Sequence, residues 1–257
     1  MYLSAERLAL VNKEIRENFA RTSIAWQAIP HWDICDPGKT RVPNGDISSP
    51  LFVDVLPQQE PLQITVAQAT APTPDSLIAA ATATTVALAA KVDRDVLPKL
   101  LKAKASVAIT STGPQDLQDA LIEARALLED AGYRAPSCLL TNLNGLKLLN
   151  TIVGDTTILR QLLAAANVNS LHRTDALDPA APAKAIRILL IGRRQLIPHC
   201  SATDASPGEE PADLAVSVFP SLEVVGETAT GTIELSVRVR YATRVKDPDG
   251  LAGRTKG

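Results

Sequence analysis

The residues that could do chemistry in this chain are few. Three histidines and three cysteines are the whole supply of imidazole and thiol. His31-Trp32-Asp33-Ile34-Cys35 gathers three potential metal ligands within five residues, and His199-Cys200 adds two more. Zinc sites show paired spacing of the Cys-x2-Cys or His-x3-His kind. Neither cluster has it, so both read as ordinary loop residues. Cys138 or Cys200 with His172 or His199 would supply a thiol and a base for nucleophilic catalysis. Cys138, however, lies in an apolar run where a buried, inert thiol is expected. The chain contains no G-x-G-x-x-G, no G-x-x-x-x-G-K-[ST] and no G-x-S-x-G. Asn144-Gly145 and Val153-Gly154-Asp155 read as helix punctuation, and Glu129-Asp130 and Glu209-Glu210 as solvated acids. Arg160, Arg187, Arg193 and Arg194 read as scattered surface charge rather than a basic patch. The expectation is a protein with no cofactor, no metal and no catalytic site.

Composition narrows the class without naming it. At 257 residues, the chain suits one large domain or two small ones, and 46% apolar with 21% charged residues is ordinary for a globular protein. Aromatic residues make up only 3%, and alanine is abundant instead. Small side chains bury little area each, so such a core needs many close contacts, within the chain or with neighbouring copies. The net charge of -2 gives no global pull on nucleic acid or anionic membrane. No signal-peptide-like apolar core is visible in the first sixteen residues, and no run approaches the ~18 apolar residues of a membrane span. Three widely spaced cysteines give no disulfide framework, so a reducing cytoplasm is expected.

The elements that would carry these residues are more legible. Residues 4–20 read as an amphipathic helix, with Ser4 as N-cap and Leu8, Val11, Ile15 and Phe19 at helical spacing. Residues 26–45 read as irregular and contain Trp26 and Trp32. Two extended runs, Leu51-Phe52-Val53-Asp54-Val55 and Leu62-Gln63-Ile64-Thr65-Val66, flank the Pro-bounded segment Pro57-Gln58-Gln59-Glu60-Pro61 and predict a β-hairpin. Thr73-Pro74-Asp75 opens a long Ala-rich helix to about Lys104, with Pro98 set to end or kink it near Val96. A periodic helix follows, with Leu117, Ala120, Leu121, Ala124, Leu127 and Leu128 on its stripe and Gly132 as cap. Then come a strand at 137–141, helices at 143–152 and 156–166, and a buried strand at 185–191. An acidic loop at 202–211 precedes two late alternating strands, the second with Ile233, Leu235, Val237 and Val239 on one face. Residues 246–257 read as a polar, frayed tail.

One order of parts carries a family likeness. The run Asp119-Ala120-Leu121-Ile122-Glu123-Ala124-Arg125-Ala126-Leu127-Leu128-Glu129-Asp130-Ala131-Gly132-Tyr133, then Pro136 and Cys138-Leu139-Leu140-Thr141-Asn142, resembles the axial domain of tailed-phage capsid proteins and encapsulins. The late strands, Asp213 to Val218 and Ile233 to Tyr241, are similar to the closing strands of that family's peripheral domain. The stretch Ala79 to Lys99, with Asp93-Arg94-Asp95 towards its end, resembles its spine helix. The likeness covers most of residues 50–245.

That resemblance implies an α+β fold of the Hong Kong 97 capsid type. It divides the chain into an N-terminal arm (1–48), an extended loop (49–73), a spine helix with peripheral domain (74–112), an axial domain (113–212) and returning peripheral strands with a C-terminal tail (213–257). It implies a self-assembling shell subunit, in the first place the major capsid protein of a tailed phage or prophage around DNA, located in the virion. The alternative it leaves is an encapsulin-like compartment in the bacterial cytoplasm enclosing protein cargo. The departures are the absence of a long scaffolding segment and of the encapsulin start and axial-tip patterns. The implied partners are many copies of the chain itself, with scaffolding, portal or decoration proteins and non-specifically contacted DNA, and no membrane. Intersubunit contacts are expected at Trp26, Trp32, Leu51, Phe52, Val53, Val55, Leu62, Ile64 and Val66. Removal of residues 50–71 is expected to leave a folded subunit that cannot close a shell.

Overall fold

Ser4 accepts a hydrogen bond from the Arg7 N–H and starts α1, Ala5–Thr22, whose Val11, Ile15 and Phe19 are fully buried as their spacing requires. These positions come from a computed structural model that describes residues 3–44, 51–104, 106–109, 113–153, 155–178, 185–194, 210–228 and 231–256. After α1 the chain is regular where irregularity was expected. It forms α2 (Ile24–Ala28), β1 (His31–Asp33) and β2 (Arg41–Asn44). A helix as short as α2 needs tertiary support. It comes from Asp93, far along the chain: its carboxylate accepts from Ser23 Oγ at 2.7 Å and from the N–H groups of Ile24 and Ala25 at 2.9 Å. Burial pushes the Asp93 carboxyl above its ordinary value, and those three donors pull it back.

The expected hairpin is not formed as drawn. β3 (Leu51–Asp54) pairs backward with β2, while the second run belongs to β4 (Leu56–Thr65), one continuous strand. β4 pairs antiparallel with β12 (Thr232–Val245) in unbroken register from Leu56–Tyr241 to Thr65–Thr232. The two prolines that read as turn brackets lie inside the strand. Alternation explains this. The Gln59 carbonyl accepts from Lys91 Nζ at 3.0 Å, so residues of its parity, Pro57 and Pro61 among them, turn their backbone away from β12. The missing N–H groups therefore cost the ladder nothing, and they blunt an edge strand. Removing residues 50–71 would take out a strand of the main sheet, which corrects the expectation that such a deletion leaves the subunit intact.

α3 (Val66–Thr70) carries a Thr65/Gln68 capping box and leads to α4, Asp75–Ala103. α4 is long and apolar enough to cross a membrane by length and composition, but its stripe is packed inside the protein. It runs through Pro98 because Val96, Leu97 and Leu100, all fully buried, hold its last turns in place. With α1 it covers one face of a four-stranded sheet in the order β1-β11-β12-β4, where β11 is Ala212–Glu227. Asn12 Oδ1 accepts from the Leu222 N–H at 2.8 Å, close to where Pro220 shifts the β11 register, so α1 also seals an irregularity in the sheet.

The second half is α/β, as the pattern predicts. β5 (Val107–Ala108) precedes α5 (Pro114–Asp130), whose Leu117, Leu121, Ala124 and Leu128 are buried while Leu127 stays exposed. Gly132 ends it at φ +87°, which favours glycine. β6 (Ala135–Thr141) leads to α6 (Leu143–Leu149), capped by Asn142, whose Oδ1 accepts from Gly145 N–H at 3.0 Å. A small hairpin, β7 (Ile152–Val153) and β8 (Thr156–Thr157), shortens the next helix to α7, Leu159–Ala165. β9 (Val168–Arg173), unforeseen in the sequence, lies parallel to β6, and β10 (Ile186–Arg193) lies antiparallel to it.

The largest correction is at residues 246–257. Beyond a short turn at Pro248–Gly250, β13 (Leu251–Lys256) is a nearly interior strand of a five-stranded sheet in the order β5-β13-β10-β6-β9. Leu251, Ala252 and Arg254 are buried. This sheet is a wall between two cores. Cys138, Leu140, Leu189, Ile191 and Leu251 face the core of α4, and Leu139, Ile188, Leu190 and Ala252 face that of α5.

Replacing Asp93 by Ala would leave two buried donors and one part-buried donor without this acceptor. The expected cost is at least ~3 kcal/mol of subunit stability, read from denaturant unfolding of the dissociated protein.

Candidate functional site

The candidate chemical groups among the described residues are not gathered into one site. His31, Asp33 and Cys35 are exposed and do not converge: the His31 ring stacks on Trp26 at 4.0 Å, and Asp33 Oδ1 accepts from the Cys35 N–H at 2.7 Å to fold the loop. Among the described residues, no group of three His, Cys, Asp or Glu side chains is placed to hold a metal ion. Burial pushes the Cys138 thiol up to about 11, so it is not a thiolate at neutral pH. His172 is pushed below its ordinary value by burial and by the charge of Arg193. His199 and Cys200 lie outside the described residues.

The surface reading is corrected at Glu210 and Arg193, while Arg194 stays exposed as expected. Glu210 is not a solvated acid but is buried, with its carboxylate 3.1 Å from the equally buried Arg193. Arg194 lies over the Tyr133 ring at 4.7 Å and binds Asp247 at 3.1 Å. These cations are fasteners between elements, not a patch offered to a ligand.

The nine expected contact residues separate into two groups. Trp26 is buried against Phe19 and Phe219, and Leu62 and Ile64 lie in the main core. Val55 is buried with Val42, Ala215 and Ala242 in a third small cluster, on which Val53 and Trp32 pack. Trp32 also holds Arg244 over its ring at 4.7 Å. Val66, the first residue of α3, packs partly buried against the main core. Trp26, Val55, Leu62 and Ile64 therefore have no surface left for a neighbour. Leu51 and Phe52 do: they are 63% and 62% exposed. They sit on the β2–β3 ribbon, which leaves the body beside the Val42–Val55 cluster, with Arg41 and Asp54 paired across it at 2.8 Å.

Two further apolar projections escaped the sequence reading. Ile152 and Val153 stand exposed on β7, and Val224 and Val225 are exposed near the far end of β11. The available signal was an apolar doublet next to turn residues, Gly154-Asp155 and Gly226. A buried strand should not end that way.

No protein-family model and no curated protein sequence matches the chain. Solved structures do. A virus-like particle from Pyrococcus furiosus superposes with a TM-score of 0.68 at 12% identity, over 97% of this chain and 98% of that one. A holo encapsulin complex from Synechococcus elongatus gives 0.62 at 12% identity, over 91% and 87%. The mature capsid of bacteriophage PhiM1 gives 0.55 at 9%, over 90% and 86%. The chain thus has the capsid fold shared by tailed-phage shells and encapsulins.

The buried and exposed members of the contact set should respond differently to mutation. Phe52→Ser is expected to leave subunit stability within ~0.5 kcal/mol, the range for surface substitutions. Leu62→Ala should cost ~2–5 kcal/mol in the same unfolding assay.

Proposed function

We propose that this chain is a subunit of a closed protein shell, in the first place the major capsid protein of a tailed phage or prophage. The observation that carries the reading is the near-complete coverage, 97% and 98%, shared with a virus-like particle subunit. The placement of exposed apolar residues supports it. The large ones named above project on a ribbon, a small hairpin and a strand end, which is poor design for a free monomer and useful design for a tile.

In this reading residues 1–48 are the arm, 49–73 hold the extended loop, 74–112 and 213–257 are mainly peripheral and 113–212 axial. The reaching part of the loop is the β2–β3 ribbon, and β4 stays in the body. Each copy offers the ribbon to a different surface on the next copy. Such a heterologous contact propagates and closes when the rotation per step allows it. An isolated two-stranded ribbon is marginal in water, so Leu51 and Phe52 gain most when a neighbour covers them. DNA inside would be held without sequence readout, and the weak net charge of -2 suits loose rather than tight contact. Scaffolding, portal and decoration proteins are the further partners this role calls for, and the virion is its location. The likeness to the Synechococcus encapsulin favours a second reading, a cytoplasmic compartment around protein cargo.

Electron microscopy of the purified chain tests the shell reading: closed particles of uniform diameter are expected, and a persistent monomer would count against it. Nuclease-protected DNA in particles from producing cells selects the phage reading, whereas a co-purifying protein cargo selects the compartment. In the same assay, Leu51→Ser with Phe52→Ser should abolish particles while the subunit stays folded.

A further inference from the structure

We propose that the slot filled by β13 is a binding site for an extended strand, and that its occupancy gates a subunit's entry into the shell. The inference rests on the shell reading for its consequence but on the slot's own geometry for its existence. β13 pairs with β10 over six residues, from Ile186–Lys256 to Ile191–Leu251, and its other edge takes β5 at Arg254–Val107 and Thr255–Ala108. Among the described residues, no other strand pairs with β5. With the slot empty, β10 and β5 would each present an unpaired backbone edge.

The slot is selective for what it holds. A side chain at Gly253 would place its Cβ 2.3 Å from Ser106 Oγ, and one at Gly250 would meet Tyr133 at 2.7 Å and Pro211 at 2.4 Å. Leu251 fills the core on one side of the sheet and Ala252 the core on the other. Arg254, buried, donates to the Ala120 carbonyl of α5 at 3.0 Å and reaches Glu123 at 3.9 Å. The approach is clasped as well. Asp247 accepts from Tyr133 Oη at 2.7 Å, Asp249 binds Lys104 at 2.9 Å, and the N–H groups of Lys246 and Asp247 both donate to the Pro211 carbonyl. The accepted ligand is a strand of leucine, alanine, glycine and arginine in this register, and its occupant is residues 251–256 of the same chain.

β13 follows every other described element in the chain. A nascent chain therefore carries α5, β6 and β10 before the strand that joins them to β5 exists. Until β13 enters, the wall between the two cores has a gap, and the axial half cannot hold the shape a neighbour must match. Incomplete chains are thereby kept from joining a growing shell.

Two variants test this: a chain ending at Val245, and the full-length Gly253→Val. Wild-type particles are the control, and their absence would remove the shell reading rather than this one. In both variants particles should be lost, while hydrogen exchange keeps protection in α1, β11 and β12 and loses it in β10. Adding a synthetic peptide of residues 246–257 to the chain ending at Val245 should restore β10 protection and then particles. Particles from either variant without peptide would overturn the gate. Loss of protection in α1, β11 and β12 as well, or no response of β10 to the peptide, would overturn the slot as a separable site. Crossed dimers of intact chains, with β13 exchanged between copies, would overturn the assignment of the occupant to the same chain.

Discussion

The buried stripe of α4 is the contact on which the other elements depend, because α4 packs on parts of both sheets. Leu77, Ala81, Thr85, Leu88, Ala89, Val92, Val96, Leu97 and Leu100 are buried along it. It packs on α1, β4 and β12 on one side and on β13 and the turn at Asp175–Leu177 on the other. Alanine along the stripe lets these backbones come close, so a core poor in aromatics still fills its volume. Thr84 and Thr85 break the apolar pattern without an orphaned hydroxyl, because each donates to the carbonyl four residues earlier, Ala80 and Ala81. Asp93 adds the one polar demand on this helix and spends it on ordering α2. The arm that read as an appendage is consequently part of the body.

Where the chain passes between the sheets, charge takes over from apolar packing. Arg193 meets Glu210 as β10 ends and β11 begins, and Asp213 accepts from Arg244 at 2.6 and 2.7 Å with Lys246 at 3.2 Å. Burial and the adjacent Asp247 push the Tyr133 hydroxyl above its ordinary range, so it remains a donor to that carboxylate. Buried pairs of this kind add little net stability, since desolvation offsets attraction. Their geometry is another matter. Losing one partner strands a buried charge at a cost of ~3–5 kcal/mol, so the joint has one favoured arrangement.

What the sequence revealed and what it hid divide along one line. Local signals worked: the Ser4 and Asn142 caps, the Gly132 stop, the α5 stripe apart from the exposed Leu127, and the alternation of Ile233, Leu235, Val237 and Val239 stand where their chemistry put them. Readings that depended on a distant partner failed. Pro57 and Pro61 resemble turn brackets until the parity of Gln59 shows them facing away from β12. Leu251-Ala252-Gly253-Arg254 has no strand pattern at all, because its two central small residues are dictated by Ser106 and by the cores it divides. Trp26 and Trp32 read as packing on their own body or on a neighbour, and only the fold shows Phe219 and Arg244 of the same chain as their partners. For the candidate site, residue type picked out Leu51 and Phe52 but not β2, the strand with which they pair. Only the fold could separate Leu51 and Phe52 from Val55, Leu62 and Ile64.

The contrast between body and ribbon has a mechanical consequence. Copies of one chain in a closed shell must meet at angles that differ slightly from place to place unless the shell is the smallest possible, and each contact must tolerate that difference. A close-packed interior does not deform by small amounts, because losing contact distance forfeits attraction at once. The body here, with its sandwiched sheet and single-geometry joint, is of that kind. β2 and β3 together place eight residues in pairing, held to the body by the Val42 cluster, on which Val53 packs, and by Arg244, which donates to the Pro43 carbonyl at 3.1 Å. Leu51 and Phe52 lie outside that interior and are 63% and 62% exposed. Core packing and exposed apolar surface thus rest on different residues, so a change at Leu51 or Phe52 alters the surface without altering the core.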